Sequence, residues 1–217
     1  DAFLKDPQAG VFLALLAGTC LVTAAFLNDN EAFFTTLTRV TVNVVSVVTT
    51  TGYASEDYEL WGAGYIGLFL ALTFVGGCAG STSGGIKIYR FQLLRIFASE
   101  HLRRLHSSSV VQSRAYGGSK LTLEIAFSVL AFLSLYIGAF SVGALALAFT
   151  GLDLPTALSA SVTALSNVGP GVGGIIGPAG NFASLPDMAK WILIGLMLRG
   201  RLELFAILVL FDPYFWR

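Results

Sequence analysis

The chain has 217 residues, of which 55% are hydrophobic and only 12% charged, and its 13 basic and 13 acidic side chains cancel to a net charge of zero. A mean hydropathy of +0.75 excludes an ordinary soluble domain, and no nucleic-acid partner is expected of so apolar and balanced a chain. The charges are unevenly placed, and their placement carries the information.

Residues 7–28 hold no charge, enough to cross a hydrocarbon core of roughly 30 Å at about 1.5 Å per residue. An apolar helix is expected over about 10–27, followed by the acidic junction Asn28-Asp29-Asn30-Glu31. Next come an amphipathic segment over about 31–48, a Thr/Gly turn at 49–54, the acidic patch Glu56, Asp57 and Glu59, and a long apolar helix from about Trp61. The order then repeats. A charge-free run from 125 to 152 lies in a helix expected over about 122–150. Asp153 before Pro155 marks a new helix start, with an acceptor at the cap and proline in the first turn. A short segment to Leu165, a Ser/Asn/Gly turn at 166–171, a Gly/Pro-rich loop and a last helix over about 187–211 complete the chain. Asp1 rather than Met opens it and no signal peptide precedes the apolar run, so a piece of a longer protein or a processed product is expected. Cys20 and Cys78 fall in apolar segments and are expected as small buried side chains, not as a disulfide or metal ligands.

Each half therefore reads helix, half-helix, glycine turn, helix. A segment of 12–18 residues is short for a bilayer, and irregular backbone at membrane depth is tolerated only inside protein or along a wet cavity. A re-entrant pore loop meets that requirement. Gly52 and Gly169 occupy the two turns 117 residues apart, and the same offset pairs Gly84 with Arg201. The expected fold is an all-α membrane protein of two helix–pore loop–helix repeats, 1–105 and 121–217, joined by a cytoplasmic connector at 106–120. Lys87, Arg90, Arg95, Arg103, Arg104, Arg114 and Lys120 lie between the two turns. Basic residues favour the cytoplasmic side, so both turns should open outward behind an acidic mouth that concentrates cations.

The first turn runs Thr49-Thr50-Thr51-Gly52-Tyr53-Ala54. Stripping water from K⁺ takes rings of oxygens, which extended backbone supplies when its carbonyls turn one way. Glycine permits the unusual dihedrals, and an aromatic after it can brace the strand against the half-helix. Thr50–Ala54 resembles the K⁺-channel pattern Thr-Val-Gly-Tyr-Gly with two departures. Asn167-Val168-Gly169-Pro170-Gly171 keeps only Val-Gly and the last glycine. Candidate filter residues are Thr50, Thr51, Gly52, Tyr53, Asn167, Val168, Gly169 and Pro170, with K⁺ held at Thr50, Thr51, Asn167 and Val168.

Gly76, Gly77, Gly80, Gly84 and Gly85 interrupt the following helix, with Ser81, Thr82 and Ser83 among them. Each glycine costs a helix interior roughly 1 kcal/mol relative to Ala, so an unwound loop beneath the filter is expected, able to obstruct or clear a pore. A helix-packing face of small residues is the competing account. In the last helix Arg201 should project a positive charge beside this loop, raising the barrier to a cation or holding the loop through its carbonyls, with Glu203 as candidate partner. A salt bridge that merely fastens helices is the alternative, and Arg199 snorkels or pairs elsewhere.

Thr49–Tyr53, Gly76–Lys87, Ser166–Gly171, Gly200–Glu203 and the closing Phe215-Trp216-Arg217 together resemble the Trk/Ktr/HKT superfamily of K⁺ transporters, most closely the bacterial Trk-type membrane subunit. The resemblance covers nearly the whole chain. It implies K⁺ uptake across the bacterial inner membrane through a pore of four membrane–pore–membrane repeats, of which this chain supplies the third and fourth. By resemblance, Gly52 and Gly169 are filter glycines, Gly76–Gly85 is the intramembrane gating loop and Arg201 the arginine below the filter. It further implies a homodimer, the other two repeats of the same transporter, K⁺ (with Na⁺ or H⁺ for symport) as transported ion, and a cytoplasmic nucleotide-binding regulatory subunit of TrkA type. No enzymatic activity and no bound cofactor are expected. A dimerising two-pore-loop cation channel is one rival, but its two filters should be alike. An intramembrane serine protease built on Ser83 is another, yet His101 and His106 lie on the cytoplasmic side and offer no base.

Overall fold

The computed structural model describes residues 6–27, 32–106, 115–116 and 119–201. Asp6 opens the first helix, its carboxylate accepting from the Gln8 amide at 2.9 Å, with Pro7 in the first turn. The helix, α1, runs Pro7–Phe26. It is apolar on every side but buries only Ala9, Leu16, Cys20, Thr23 and Ala24, leaving Leu13, Leu21 and Phe26 exposed. A helix apolar all round suits a membrane better than water.

α2, Phe33–Val48, is amphipathic and buries Thr36, Val40, Asn43, Val44 and Val47 at helical spacing. Thr50 takes a positive φ of 56° and stops it. A 3₁₀ turn at Tyr58–Trp61, capped by Asp57, leads into α3, Ala63–Phe74. The glycine-rich segment then breaks the helix as the sequence predicts, and α4 resumes over Ile88–His106. Arg90, Arg95, Arg103 and Arg104 therefore ride on a helix. Two-residue strands β1, Ala115–Tyr116, and β2, Ser119–Lys120, pair antiparallel in the connector, a small departure from the all-α expectation.

The second half follows with α5, Leu123–Phe149, α6, Leu154–Ser166, and α7, described over Asp187–Arg201. Among the described residues, α1 and α5 are long and apolar enough to cross a membrane; α2 and α6 are the two short apolar helices before the turns. One core cluster joins α1, α2 and α3 and takes in Val168 and Val172 from the second half. The other joins α5, α6 and α7 and takes in Ile86 from the first. Each half thus packs into the other's core, which fixes the two turns relative to one another.

Asp153 caps α6, its carboxylate accepting from the Thr156 amide at 3.3 Å, and hydrogen bonding from Thr156, its side chain first and its amide second, holds the Asp153 pKa below the usual carboxylate range. A depressed folded pKa means the cap's contribution is present above the unfolded value and is lost as pH falls through the folded one. Asp153→Ala is expected to cost about 1 kcal/mol at neutral pH. Thermal unfolding of the full transporter in detergent should show the deficit, shrinking as pH falls below the carboxylate range.

Candidate functional site

The two turns share one backbone. Thr50 (φ 56°) and Asn167 (φ 54°) are the non-glycine residues with positive φ among those described, and Gly52 (φ 82°) and Gly169 (φ 114°) follow two positions later. Both pairs are separated by the same 117 residues. Each turn is closed by the same bond, from the Thr51 amide to the Ser46 carbonyl at 2.9 Å and from the Val168 amide to the Thr163 carbonyl at 3.0 Å. The turns also face each other. A Cβ at Gly52 would run into the Val168 carbonyl and lie 3.5 Å from Pro170 Cδ, and one at Gly169 would lie 3.9 Å from Gly52 Cα.

Their supports differ. Behind the first turn, fully buried Asn43 accepts from the Ser55 amide at 3.1 Å and donates to Ser55 Oγ at 3.0 Å. Arg39 Nε reaches both Glu56 oxygens at 2.9 Å, and Arg39 Nη2 adds a further bond to Glu56. A guanidinium forked onto a carboxylate is both directional and charge-assisted. Behind the second turn, Thr163 Oγ1 accepts from the Gly169 amide at 3.2 Å and donates to the Pro170 carbonyl at 2.9 Å. Ser159 Oγ accepts from the Val172 amide. Two residues of the first repeat cross over: Tyr58 Oη donates to the Gly171 carbonyl at 3.2 Å, and Glu59 accepts from the Gly173 amide. Burial pushes the Tyr58 hydroxyl far above its usual range, so it remains a donor at any working pH.

Tyr53 does not brace the first strand as its place after the glycine predicts; it is 77% exposed. The buried ring behind the turns is Tyr58, stacked on Phe69 at 3.9 Å between centroids. Sequence reasoning passed over Asn43, Tyr58, Glu59 and Thr163 as site residues. A polar Asn43 at the centre of a valine-rich half-helix was the one legible signal.

Beneath the turns the glycine segment forms a loop whose ends are joined by a parallel bridge between Val75 and Ile86. The Gly76 amide donates to Ile86 O at 2.9 Å and the Ile86 amide to Phe74 O at 2.8 Å. Ser83 Oγ accepts from the Gly77 amide at 2.9 Å and shares a bond with Ser81 Oγ, so its hydroxyl serves the loop. Cys78 is half-buried, unlike Cys20, which departs from the expectation of two buried thiols. Gly76, Gly77 and Gly84 are buried, whereas Ala79–Thr82 are exposed. A Cβ at Gly84 would overlap the Ser166 carbonyl, and one at Gly200 the Leu165 carbonyl. Loop and α7 therefore both rest, backbone against backbone, on the last carbonyls of α6.

Arg201 Nη1 donates to the Thr82 carbonyl at 2.6 Å, which fastens α7 to the exposed tip of the loop. Thr82, Gly84, Arg90, Tyr136 and Arg201 line a cavity of about 250 Å³. Arg90 is buried there with its guanidinium 3.6 Å from the Phe132 ring centroid. Glu203, Asp29, Glu31 and Phe215–Arg217 lie outside the described residues.

A family model described as TrkH, cation transport protein, matches residues 13–216. The Trk system potassium uptake protein TrkI of Halomonas elongata is 52% identical over 100% of this chain and 44% of its own length. TrkH of Salmonella typhimurium is 39% identical over 99% of this chain and 44% of its own. The crystal structure of the potassium transporter TrkH from Vibrio parahaemolyticus superposes with a TM-score of 0.90 at 36% identity, covering 99% of this chain and 46% of that one. The chain thus spans under half the length of the relatives it matches.

Proposed function

Because the chain belongs to the TrkH family of cation transport proteins, we propose that it supplies half of the K⁺ pathway of a Trk-type uptake system. The carrying observation is the pair of facing turns, Thr50–Gly52 and Asn167–Gly169, which repeat one backbone conformation at one offset. Extended backbone with positive-φ glycines can direct several carbonyls at a common ion. Thr50, Thr51, Asn167 and Val168 are the proposed K⁺ ligands, with Tyr53 and Pro170 at the outer end of each strand. Two strands do not ring an ion. Residues 1–105 and 121–217 accordingly act as the third and fourth repeats of a transporter whose other two complete the filter.

The Gly76–Gly85 loop is the proposed gate, held shut by its seat on α6 and by Arg201. The system is placed in the bacterial inner membrane as a homodimer, with a cytoplasmic nucleotide-binding subunit of TrkA type acting through the α4 side. The other system components rest on the relatives' naming as parts of a Trk system. Transport by a channel or by symport with Na⁺ or H⁺ fits the same pathway.

Gly169→Ala tests the filter. Its Cβ has room, but φ 114° is strained for any residue with a Cβ by about 1–3 kcal/mol. In proteoliposomes carrying the full transporter, K⁺ uptake is expected to persist while preference over Na⁺ falls roughly tenfold, the factor of 1.4 kcal/mol. An unchanged ion preference at matched protein would count against Gly169 as a filter residue.

A further inference from the structure

The two strands use the residue beneath them differently, although their backbones match. Ser46 and Thr163 are equivalent across the repeat and both are buried. Ser46 Oγ has no hydrogen-bond partner among the described residues. Thr163 Oγ1 makes two bonds, accepting from Gly169 and donating to the Pro170 carbonyl, which uses its donor and leaves it an acceptor. One position further along, Tyr58 claims the Gly171 carbonyl. A carbonyl that receives a hydrogen bond from a half-helix side chain, or from a ring packed behind the turn, points into the protein. In the second strand, then, Pro170 and Gly171 both turn their oxygens inward, while the Val168 carbonyl still faces Gly52.

We infer that Thr163 and Tyr58 are positioning residues that hold the outer half of the second strand off the ion path, confine that strand's ion ligands to Asn167–Gly169, and thereby set how well the filter separates K⁺ from Na⁺. This rests on the filter assignment proposed above and deepens it. Ion discrimination in a carbonyl filter depends on how many dipoles reach the ion and how stiffly they are held. A strand with two carbonyls tied back offers fewer dipoles at its outer end and keeps the inner ones in fixed places. Thr163 does the second job as well, since the same hydroxyl fixes the Gly169 amide. Tyr58 links the strands: it belongs to the first repeat, is 2% exposed, and stacks on Phe69, so the second strand is tied to the first repeat's core.

Three variants of the full-length transporter in proteoliposomes test the idea, reading the ratio of K⁺ to Na⁺ uptake together with KM for K⁺. Thr163→Val keeps the shape and removes the hydroxyl; Thr163→Ser restores the hydroxyl; Tyr58→Phe keeps the ring stack and removes the donor. Thr163→Val and Tyr58→Phe are each expected to lower the K⁺/Na⁺ ratio roughly three- to tenfold, the factor carried by one neutral hydrogen bond. Thr163→Ser should stay within about twofold of wild type, since it keeps that bond. A purely structural role would lower the amount of active protein and leave the ratio alone. If Thr163→Val does not assemble, Tyr58→Phe decides. Wild-type transporter that shows no preference for K⁺ overturns the filter assignment underneath. Wild-type preference for K⁺ with an unchanged ratio in Tyr58→Phe and in any Thr163→Val that assembles overturns the clamp alone.

Discussion

Gly52→Ser is expected to remove most of the preference for K⁺ over Na⁺ while leaving the transporter able to pass ions. Two effects act together at this position. Gly52 holds φ 82°, a conformation that costs a residue with a Cβ about 1–3 kcal/mol. The new Cβ would also fall on the Val168 carbonyl and close to Pro170, and those atoms belong to the facing strand. Strain on one strand is relieved by moving itself; a collision with the other moves both. Overpacking adds a further 1–3 kcal/mol, about the size of the strain term. Because the displaced carbonyl is a proposed ion ligand, the expected fall in the K⁺/Na⁺ ratio exceeds that of Gly169→Ala, on the order of thirtyfold or more. Uptake of K⁺ and Na⁺ by the two variants, measured side by side in proteoliposomes, gives the comparison. A Gly52→Ser transporter as selective as Gly169→Ala would show that the contact with Val168 does not govern ion preference.

Why Gly52 could be picked out beforehand, and Thr163 could not, follows from what each contributes. Glycine in a turn between apolar segments is a local signal, and so are the five glycines of the loop and the Asp153-Pro155 helix start. Their consequences follow from backbone sterics within a few residues, and the structure has the turns, the helix break and the cap where those signals put them. The offset of 117 residues was legible for the same reason, since it needs only two similar strings. The clamp is different. Tyr58 meets Gly171 across 113 residues, and Glu59 meets Gly173 across 114. Such contacts depend on how the halves dock, which no local pattern states. Thr163 looks like any other hydroxyl in the small-residue helix α6. Tyr53 misled for a related reason: its place in the string suggested a brace, whereas the buried ring is Tyr58, which packs with Trp61 and Phe69.

Arg201 sits where locality and docking meet, and its removal is expected to raise K⁺ flux. Its guanidinium donates to the Thr82 carbonyl, and the loop that carries Thr82 is also held by its own hydrogen bonds, by the Ala79 amide donating to Gln8 Oε1 of α1 at 2.9 Å, and by the close seat of Gly84 on Ser166. Two separate barriers can therefore be lost. One is electrostatic: a unit charge roughly 8 Å from a passing ion, at an effective dielectric of about 20, repels it by about 2 kcal/mol. The other is mechanical, since a charged donor on a carbonyl contributes about 1.5–3 kcal/mol to holding the loop tip in place. Arg201→Ala removes both, and Arg201→Gln removes the charge while keeping an amide that can still donate to Thr82. Either barrier alone corresponds to a roughly tenfold or greater change in rate. If repulsion dominates, both variants should transport faster by a similar factor. If the tether dominates, Arg201→Gln should stay near wild type while Arg201→Ala speeds up. Equal or slower uptake in both, at matched protein in proteoliposomes, would sink the proposal that Arg201 restrains the pathway. In that case its bond to Thr82 would be doing no more than fastening α7 to the loop. The distinction matters for control, because a tether can be released by moving α7 or α4, whereas a fixed charge in the path can only slow every ion that passes it.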